Sequence, residues 1–279
     1  MKLIKPSFSI LPQSEGLEGI YKQIELAGRT CYKSEDKITE TSAKEFAERM
    51  IKLGHGAMLE HGTVYLAIPV KYGDINPAFE GEVKVLSWMI KKYWMNEFTH
   101  TNLGNTNAYI TTNLRVLVEN GWMSDLQYIC EPTEFHEKRH TVKFTCDRGV
   151  SHEFVRHRVF SFAQESTRYC NYSKDKFGNE VTFILPCWWK DEEGNEAEAE
   201  FCNSLQYAEE QYFYLLNQGW KAQEARAVLP SSLKTELVMT GYISDWKHFF
   251  ELRDAKSAHP QALELASPLH QEFLTRGYL

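Results

Sequence analysis

Residues 156–169 read Arg156-His157-Arg158-Val159-Phe160-Ser161-Phe162-Ala163-Gln164-Glu165-Ser166-Thr167-Arg168-Tyr169, and the fold and function of the whole chain are read outward from them. Three arginines, a histidine and the hydroxyls of Ser166 and Thr167 fall within fourteen residues. An exposed basic run would be padded with lysine, glutamate and serine. Here the guanidinium groups alternate with Val159, Phe160, Phe162 and Ala163. The rigid fork of arginine donates several hydrogen bonds at once to phosphate or to a planar polar ring. Set on a partly apolar wall, these arginines imply a pocket for an anionic ligand.

The chain around this cluster is acidic, with a formal charge of −7. General nucleic-acid binding needs a net basic face, so that class is excluded, and the local positive charge becomes more pointed. With 279 residues, 43% hydrophobic and 25% charged, the chain can build one large domain or two small ones of ordinary globular type. No apolar stretch is long enough to span a membrane, and Met1-Lys2-Leu3-Ile4-Lys5-Pro6 lacks a signal-peptide core. A cytoplasmic enzyme is expected. The six cysteines, Cys31, Cys130, Cys146, Cys170, Cys187 and Cys202, show no metal-ligand or disulfide spacing, so most are expected as small core residues. Cys187 follows Pro186, as a nucleophile does in cysteine-dependent thymidylate synthases, but Trp188 stands where those enzymes have histidine.

Periodicity predicts helices over about 15–28 and over Thr41–Leu53, the latter stopped by Gly54-His55-Gly56. Thr63–Val70 reads as a strand, Val83–Asn96 and Tyr109–Asn120 as helices, and Thr141–Cys146 as a strand closed by a turn at Asp147-Arg148-Gly149. Ser151 is the expected cap of a short helix delivering Arg156, His157 and Arg158. A strand over Val181–Leu185 follows, then an acidic stretch from 191 to 200 leading into a helix to about Asn217, stopped by Gly219. Leu233–Met239 is mixed in signal. Ser244 is the expected cap of a helix that sets Trp246, Phe249, Phe250 and Arg253 on one face. Such an arginine either snorkels or lines a buried polar site. The last helix starts near Pro260 and should kink at Pro268.

The chain carries no glycine-rich dinucleotide or phosphate loop, no Gly-x-Ser-x-Gly and no His-Glu-x-x-His. A histidine phosphatase would want glycine where Arg158 stands. What remains is rich in arginine and poor in nucleophiles, which suits a site whose reactive atoms come from a cofactor. Taken singly, Ser166 reads as a turn or cap residue, His157 as a structural histidine and Arg226 as a helix-surface residue.

Arg-His-Arg, seven residues and then Ser resembles the signature of the flavin-dependent thymidylate synthases, and the continuation Ser166-Thr167-Arg168-Tyr169 fits it too. Two more blocks share the likeness: Gly54-His55 through Leu59-Glu60-His61, and Ala225-Arg226-x-Val228-Leu229-Pro230 through Leu252-Arg253 to His259 and Gln261. The resemblance implies an α+β fold, a mixed sheet flanked by helices, in a single domain over 1–279 with an insertion at about 71–140. It also implies a homotetramer with active sites between subunits. The implied reaction converts dUMP to dTMP, with 5,10-methylenetetrahydrofolate as carbon donor, FAD as cofactor and NADPH as reductant, and it needs no cysteine nucleophile.

By the same resemblance, dUMP would lie against Glu153, Arg156, Gln164, Glu165, Ser166, Thr167, Arg168, Arg226 and Arg253. Ser166 and Arg168 would take the phosphate, and Arg226 and Arg253 would face the uracil, Arg253 as the catalytic residue. FAD would be held by Arg156, His157, Arg158, Gln164 and His248, with folate stacked on the flavin and His55 as a wall residue. The chain departs from the family at Glu153, where compact members have glutamine, and at Ala57, Ala163, Tyr242 and His248. A non-catalytic nucleotide-binding protein that keeps the arginine pocket, and phosphoryl transfer through His157, stay open as other readings.

Overall fold

A computed structural model describes residues 1–70, 88–174, 177–190 and 195–279. Two short strands, β1 (Lys2–Ile4) and β2 (Ser7–Ile10), lead into helices α1 (Gly16–Tyr32), α2 (Ser42–Lys52) and α3 (Gly56–Leu59). Strand β3 (Thr63–Pro69), helix α4 (Trp88–Trp94), strands β4 (His100–Leu103) and β5 (Asn107–Asn113) and helix α5 (Leu114–Asn120) follow. Then come β6 (Arg139–Asp147), α6 (Arg148–Phe154), β7 (Ser161–Gln164), β8 (Thr182–Ile184), α7 (Glu196–Asn217) and α8 (Ala222–Ala225). The chain closes with β9 (Lys234–Tyr242), α9 (Ile243–Arg253) and α10 (Pro260–Thr275). Sheets flanked by helices are as expected. The one sheet anticipated is three among the described residues, in orders β1-β8, β2-β6-β9-β7 and β3-β5-β4.

The described residues group into two compact units. One contains Pro12–Gly28 and Asp36–Thr141. Its antiparallel sheet turns Val64, Leu66, Ile68, Ala108 and Ile110 into a core shared with Ile20 and Ile24. Helix α2 adds Ala43, Phe46, Ala47 and Met50, the helical spacing read from sequence. Expected helix Tyr109–Asn120 is corrected here. Its first part is strand β5, and Asn113 then caps α5 by accepting from Val116 N at 3.2 Å. The β-branched run Ile110-Thr111-Thr112 fits a pleated surface, whereas the polar cap can only begin a helix. Gly121, at φ 71°, ends α5 in the left-handed conformation. Of the expected helix Val83–Asn96 and the expected insertion, residues 71–87 lie outside the described residues, and Trp88–Trp94 is helical.

The other unit contains Met1–Leu11, Arg29–Glu35 and Val142–Leu279. Its four-stranded sheet buries Val142, Phe144, Leu237 and Met239 against α9 (Trp246, Phe249, Phe250) and α10 (Ala262, Leu265, Leu269, Phe273). Each large side chain buried this way stabilises the fold by roughly 1.5–3 kcal/mol. Phe160, inside the arginine motif, meets Trp246 edge-on at 4.7 Å. A Cβ on Gly241 would fall 2.5 Å from the Phe160 ring, so only glycine lets the strand pass. A smaller cluster gathers Cys170, Tyr172, Val181, Phe183, Leu205 and Tyr212 around α7. Helix α7 is capped by Asn195 and runs to Asn217, as predicted; residues 191–194 of the acidic stretch lie outside the described residues.

Several local readings are corrected in this unit. Asp147, not Ser151, caps α6: its Oδ1 accepts from Val150 N at 2.7 Å, so the expected turn at 147–149 is the first turn of the helix. Ser151 lies inside α6, bonded back to the Arg148 carbonyl at 2.9 Å. Of the mixed stretch Leu233–Met239, all but Leu233 belongs to β9, and α9 is entered from Tyr242, whose N–H donates to Asp245 Oδ2 at 2.8 Å, rather than from Ser244. Cys146 and Cys170 are buried, but Cys31, Cys130 and Cys202 are only half-buried and Cys187 is exposed, so the core reading holds for two of the six. No helix among the described residues is long and apolar enough to cross a membrane.

Candidate functional site

Helix α6 presents Glu153 and leads into the turn bearing Arg156, His157 and Arg158, and the end of α9 brings Arg253 onto the same spot. Arg253 Nη1 is paired with Glu153 Oε2, Nη2 donates to the Glu153 carbonyl at 2.8 Å, and Nε donates to His157 Nε2 at 3.0 Å. The acceptor-only Glu153 finds its donor in Arg253. A guanidinium has five N–H groups, so two stay available to a ligand. Of the two readings for an arginine on this face, the polar site is the one realised.

His157 is 7% exposed, with Phe249 at 5.1 Å and Phe160 and His248 each at 6.2 Å between ring centroids. Burial, then the charges of Arg253 and His248, lower its pKa to about 4. It is a neutral ring whose Nε2 lone pair is already engaged, which disqualifies that nitrogen as a phosphoryl nucleophile.

The loop after β7 is tied down from several sides. Gln164 Nε2 donates to Ser151 Oγ at 2.9 Å and to Thr235 Oγ1 at 3.2 Å. Glu165, 3% exposed, donates its N–H to the Glu236 carbonyl at 2.8 Å and pairs through its carboxylate with Lys234 at 2.8 Å. Ser166 N donates to the Cys31 carbonyl at 2.9 Å, and the Ser166 carbonyl accepts from Tyr169 N at 3.0 Å and Cys170 N at 2.9 Å. Thr167 Oγ1 accepts from Arg226 Nη1 at 2.7 Å.

Arg156, Arg158 and Arg168 are exposed, and their guanidinium groups have no hydrogen bond or ion pair among the described residues. Arg168 lies over the Tyr169 ring at 5.5 Å. Glu153, Arg253 and His157 are thus brought into one cluster, and Gln164 to Thr167 with Arg226 into another. His248 is exposed beside Glu251, at 3.2 Å. His55 and Ala57 are exposed in the other unit. Ala163 is buried and Tyr242 half-buried.

Beside Glu153 opens a cavity of about 260 Å³, with Trp188, His259 and Ser232 in its wall. Gln261, from the same third block, reaches Asp147 Oδ2 at 2.8 Å. Aromatic wall and convergent polar groups together suit a planar, hydrogen-bonding ligand. Cys187 is exposed, and its thiol pKa is raised by partial burial and by Glu264, the opposite of what activates a nucleophile.

A family profile described as thymidylate synthase complementing protein matches residues 131–275, more than half the chain. The chain belongs to this family. The match takes in the arginine motif, Arg226 and Arg253; His55 lies outside it. Flavin-dependent thymidylate synthases of Pyrococcus horikoshii (33% identical over 134 residues, 48% of this chain and 54% of that protein) and Geobacter sulfurreducens (31% over 119 residues, 43% and 49%) are among its relatives. The chain spans about half the length of the curated relatives it matches. Its fold also overlays on PolB from Streptomyces cacaoi, a UMP/dUMP methylase crystallised with 5-Br dUMP. That overlay has a TM-score of 0.44 and 17% identity over 100% of this chain and 93% of that one.

Sequence reading missed Lys33, Lys234 and Glu236, which brace the family loop from beneath. Glu236 binds Lys33 and Lys234, each at 2.9 Å, and Lys33 also meets Glu35 at 3.1 Å. Their one local signal is that Lys234 and Glu236, two apart on a strand, share a face.

Proposed function

We propose that this protein is a flavin-dependent thymidylate synthase, converting dUMP to dTMP with 5,10-methylenetetrahydrofolate as carbon donor and NADPH as reductant. The observation that carries the reading is the set of uncommitted guanidinium groups, Arg156, Arg158 and Arg168, inside the family's motif in an otherwise acidic chain. Ser166 and Arg168 take the nucleotide phosphate through a hydroxyl and a charged fork. Arg226, bonded through Nη1 to Thr167, faces the uracil together with Arg253, and Gln164 and Glu165 hold the loop in place. The two remaining N–H groups of Arg253 face the uracil edge, where fixed positive charge favours ionisation at N3 and an electron-rich C5.

The residues fit FAD: two exposed arginines suit its phosphates, and a neutral buried histidine can donate to a ring acceptor. When bound, the flavin supplies the reducing equivalents that complete the methyl group. His248 borders that region, and His55 is assigned to a folate wall. The chain works as one catalytic domain with about 71–140 as an insertion, in a homotetramer. The test is a dUMP-to-dTMP assay with FAD, NADPH and methylenetetrahydrofolate each omitted in turn. Product should require all three, and the purified protein should be yellow. A protein that binds dUMP yet neither takes up flavin nor forms dTMP is the non-catalytic alternative.

A further inference from the structure

We infer that Arg253 is a positioning residue for His157: it holds the imidazole as the Nδ1–H tautomer, a fixed donor toward the flavin, and so couples nucleotide binding to flavin binding. The ligand assignments rest on the function proposed above; the tautomer rests on geometry alone.

A guanidinium nitrogen can only donate, so the 3.0 Å contact from Arg253 Nε makes His157 Nε2 the acceptor. In a neutral imidazole the proton must then sit on Nδ1. Burial first, and then the positive charge of Arg253 with His248 beside it, keep the ring neutral. Arg253 and His248 lie on α9, and Arg156 and Arg158 flank it in the chain. Glu153, on α6, is engaged by Arg253. Phe249 and Phe160 pack beside the ring. A solvated histidine would exchange between tautomers, whereas this one is held in one form.

The geometry is also clamped from the far side. Glu153 takes both terminal nitrogens of Arg253, one through its carboxylate and one through its carbonyl, which fixes the guanidinium plane and aims Nε–H at the ring. A uracil edge that engages Arg253 selects the same plane, so each ligand favours the alignment the other needs. Coupling of this kind is reciprocal.

Two-bond ¹H–¹⁵N correlation spectra of ¹⁵N-histidine-labelled protein test the positioning role, with His157→Gln identifying the resonance. At neutral pH the wild type should show only the Nδ1–H form. Arg253→Lys keeps the charge but loses the Nε donor, and should give mixed tautomers while the ring stays neutral. An Nε2–H ring in the wild type, or an Nδ1–H ring unchanged in both Arg253→Lys and Arg253→Ala, overturns the assignment. For the coupling, dUMP affinity is measured with and without FAD. FAD should tighten binding about fivefold or more in the wild type, and by less than about twofold in His157→Gln. Equal enhancement in both overturns the coupling. Protein that takes up no flavin at all defeats the proposed function and the coupling together, while the spectra still decide the tautomer.

Discussion

Arg226 Nη1 donates to Thr167 Oγ1 at 2.7 Å, across 59 residues of sequence. Like the bond from Arg253 to His157, it joins the third block of the family likeness to the second. Thr167 is 5% exposed, while Arg226 is exposed and can be rehydrated when its partner goes. Thr167→Val should therefore cost only about 0.5–1.5 kcal/mol in urea unfolding. Calorimetry should show a clear fall in dUMP affinity, because Arg226 and the loop lose register. Unchanged affinity would make the bond purely structural.

Arg168 is exposed and has no ion-pair partner among the described residues, so removing it should hardly alter stability. Arg168→Ala removes a charge-assisted phosphate contact of roughly 1.5–3 kcal/mol, so dUMP affinity should drop about tenfold or more. Deoxyuridine, which lacks the phosphate, should bind the two proteins alike. Equal dUMP affinity moves Arg168 out of the site.

Cys187 is exposed with a raised pKa, and the proposed chemistry asks no thiolate of it. Cys187→Ala should form dTMP within about twofold of the wild-type rate, since surface substitutions generally change stability by less than about 0.5 kcal/mol. A folded, flavin-bound variant without activity would return the thiol to the mechanism.

Acid should unfold the protein in two stages. Burial holds His157 and His140 at pKa values of about 4, assisted by Arg253 and His248 at His157 and by Lys138 at His140. The unfolded chain takes up protons at the ordinary value of about 6.5 and the folded chain does not. Their contribution is therefore complete above about pH 6.5 and is lost as pH falls toward 4, on the order of 1–3 kcal/mol each. Burial alone would raise the Glu236 carboxyl, but Lys234 and Lys33 overcome it and hold it down to about 2. Glu236 thus adds a second loss below about pH 4.5. Urea midpoints from pH 8 to pH 3 should follow this order, and His157→Gln should flatten the first stage.

Glu236 is shared by Lys33, Lys143 and Lys234, and Glu236→Ala removes that common partner while Lys33 keeps Glu35 and Lys234 keeps Glu165. A loss of about 1–3 kcal/mol is expected in denaturant unfolding. A loss below about 1 kcal/mol would mean the lysines relax to solvent.

What was legible in sequence followed from how many faces of an element are buried. Helix α2 shows one face to its core, and its four buried residues declare the period. Strand β9 lies between β6 and β7 and is buried along seven successive residues, with Thr235, Glu236 and Thr240 among them. Neither alternation nor an unbroken apolar run survives there, so the strand gave only a mixed signal. The arginine motif located the site because its residues are neighbours in the chain. Arg253's partners could not be read, since Glu153 lies 100 residues away and is joined to it only by the packing of α9.

The bracing of Ser166 and Glu165 by Cys31, Lys234 and Glu236 bears on how the protein matures. The loop cannot seat until the end of α1 and β9 have both arrived, segments far apart in the chain. Such non-local closures come late, because loop entropy must be overcome before the contacts can reward it. During refolding, then, bulk helix signal should recover before nucleotide binding does, and the phosphate grip becomes a timer for completion of the whole unit.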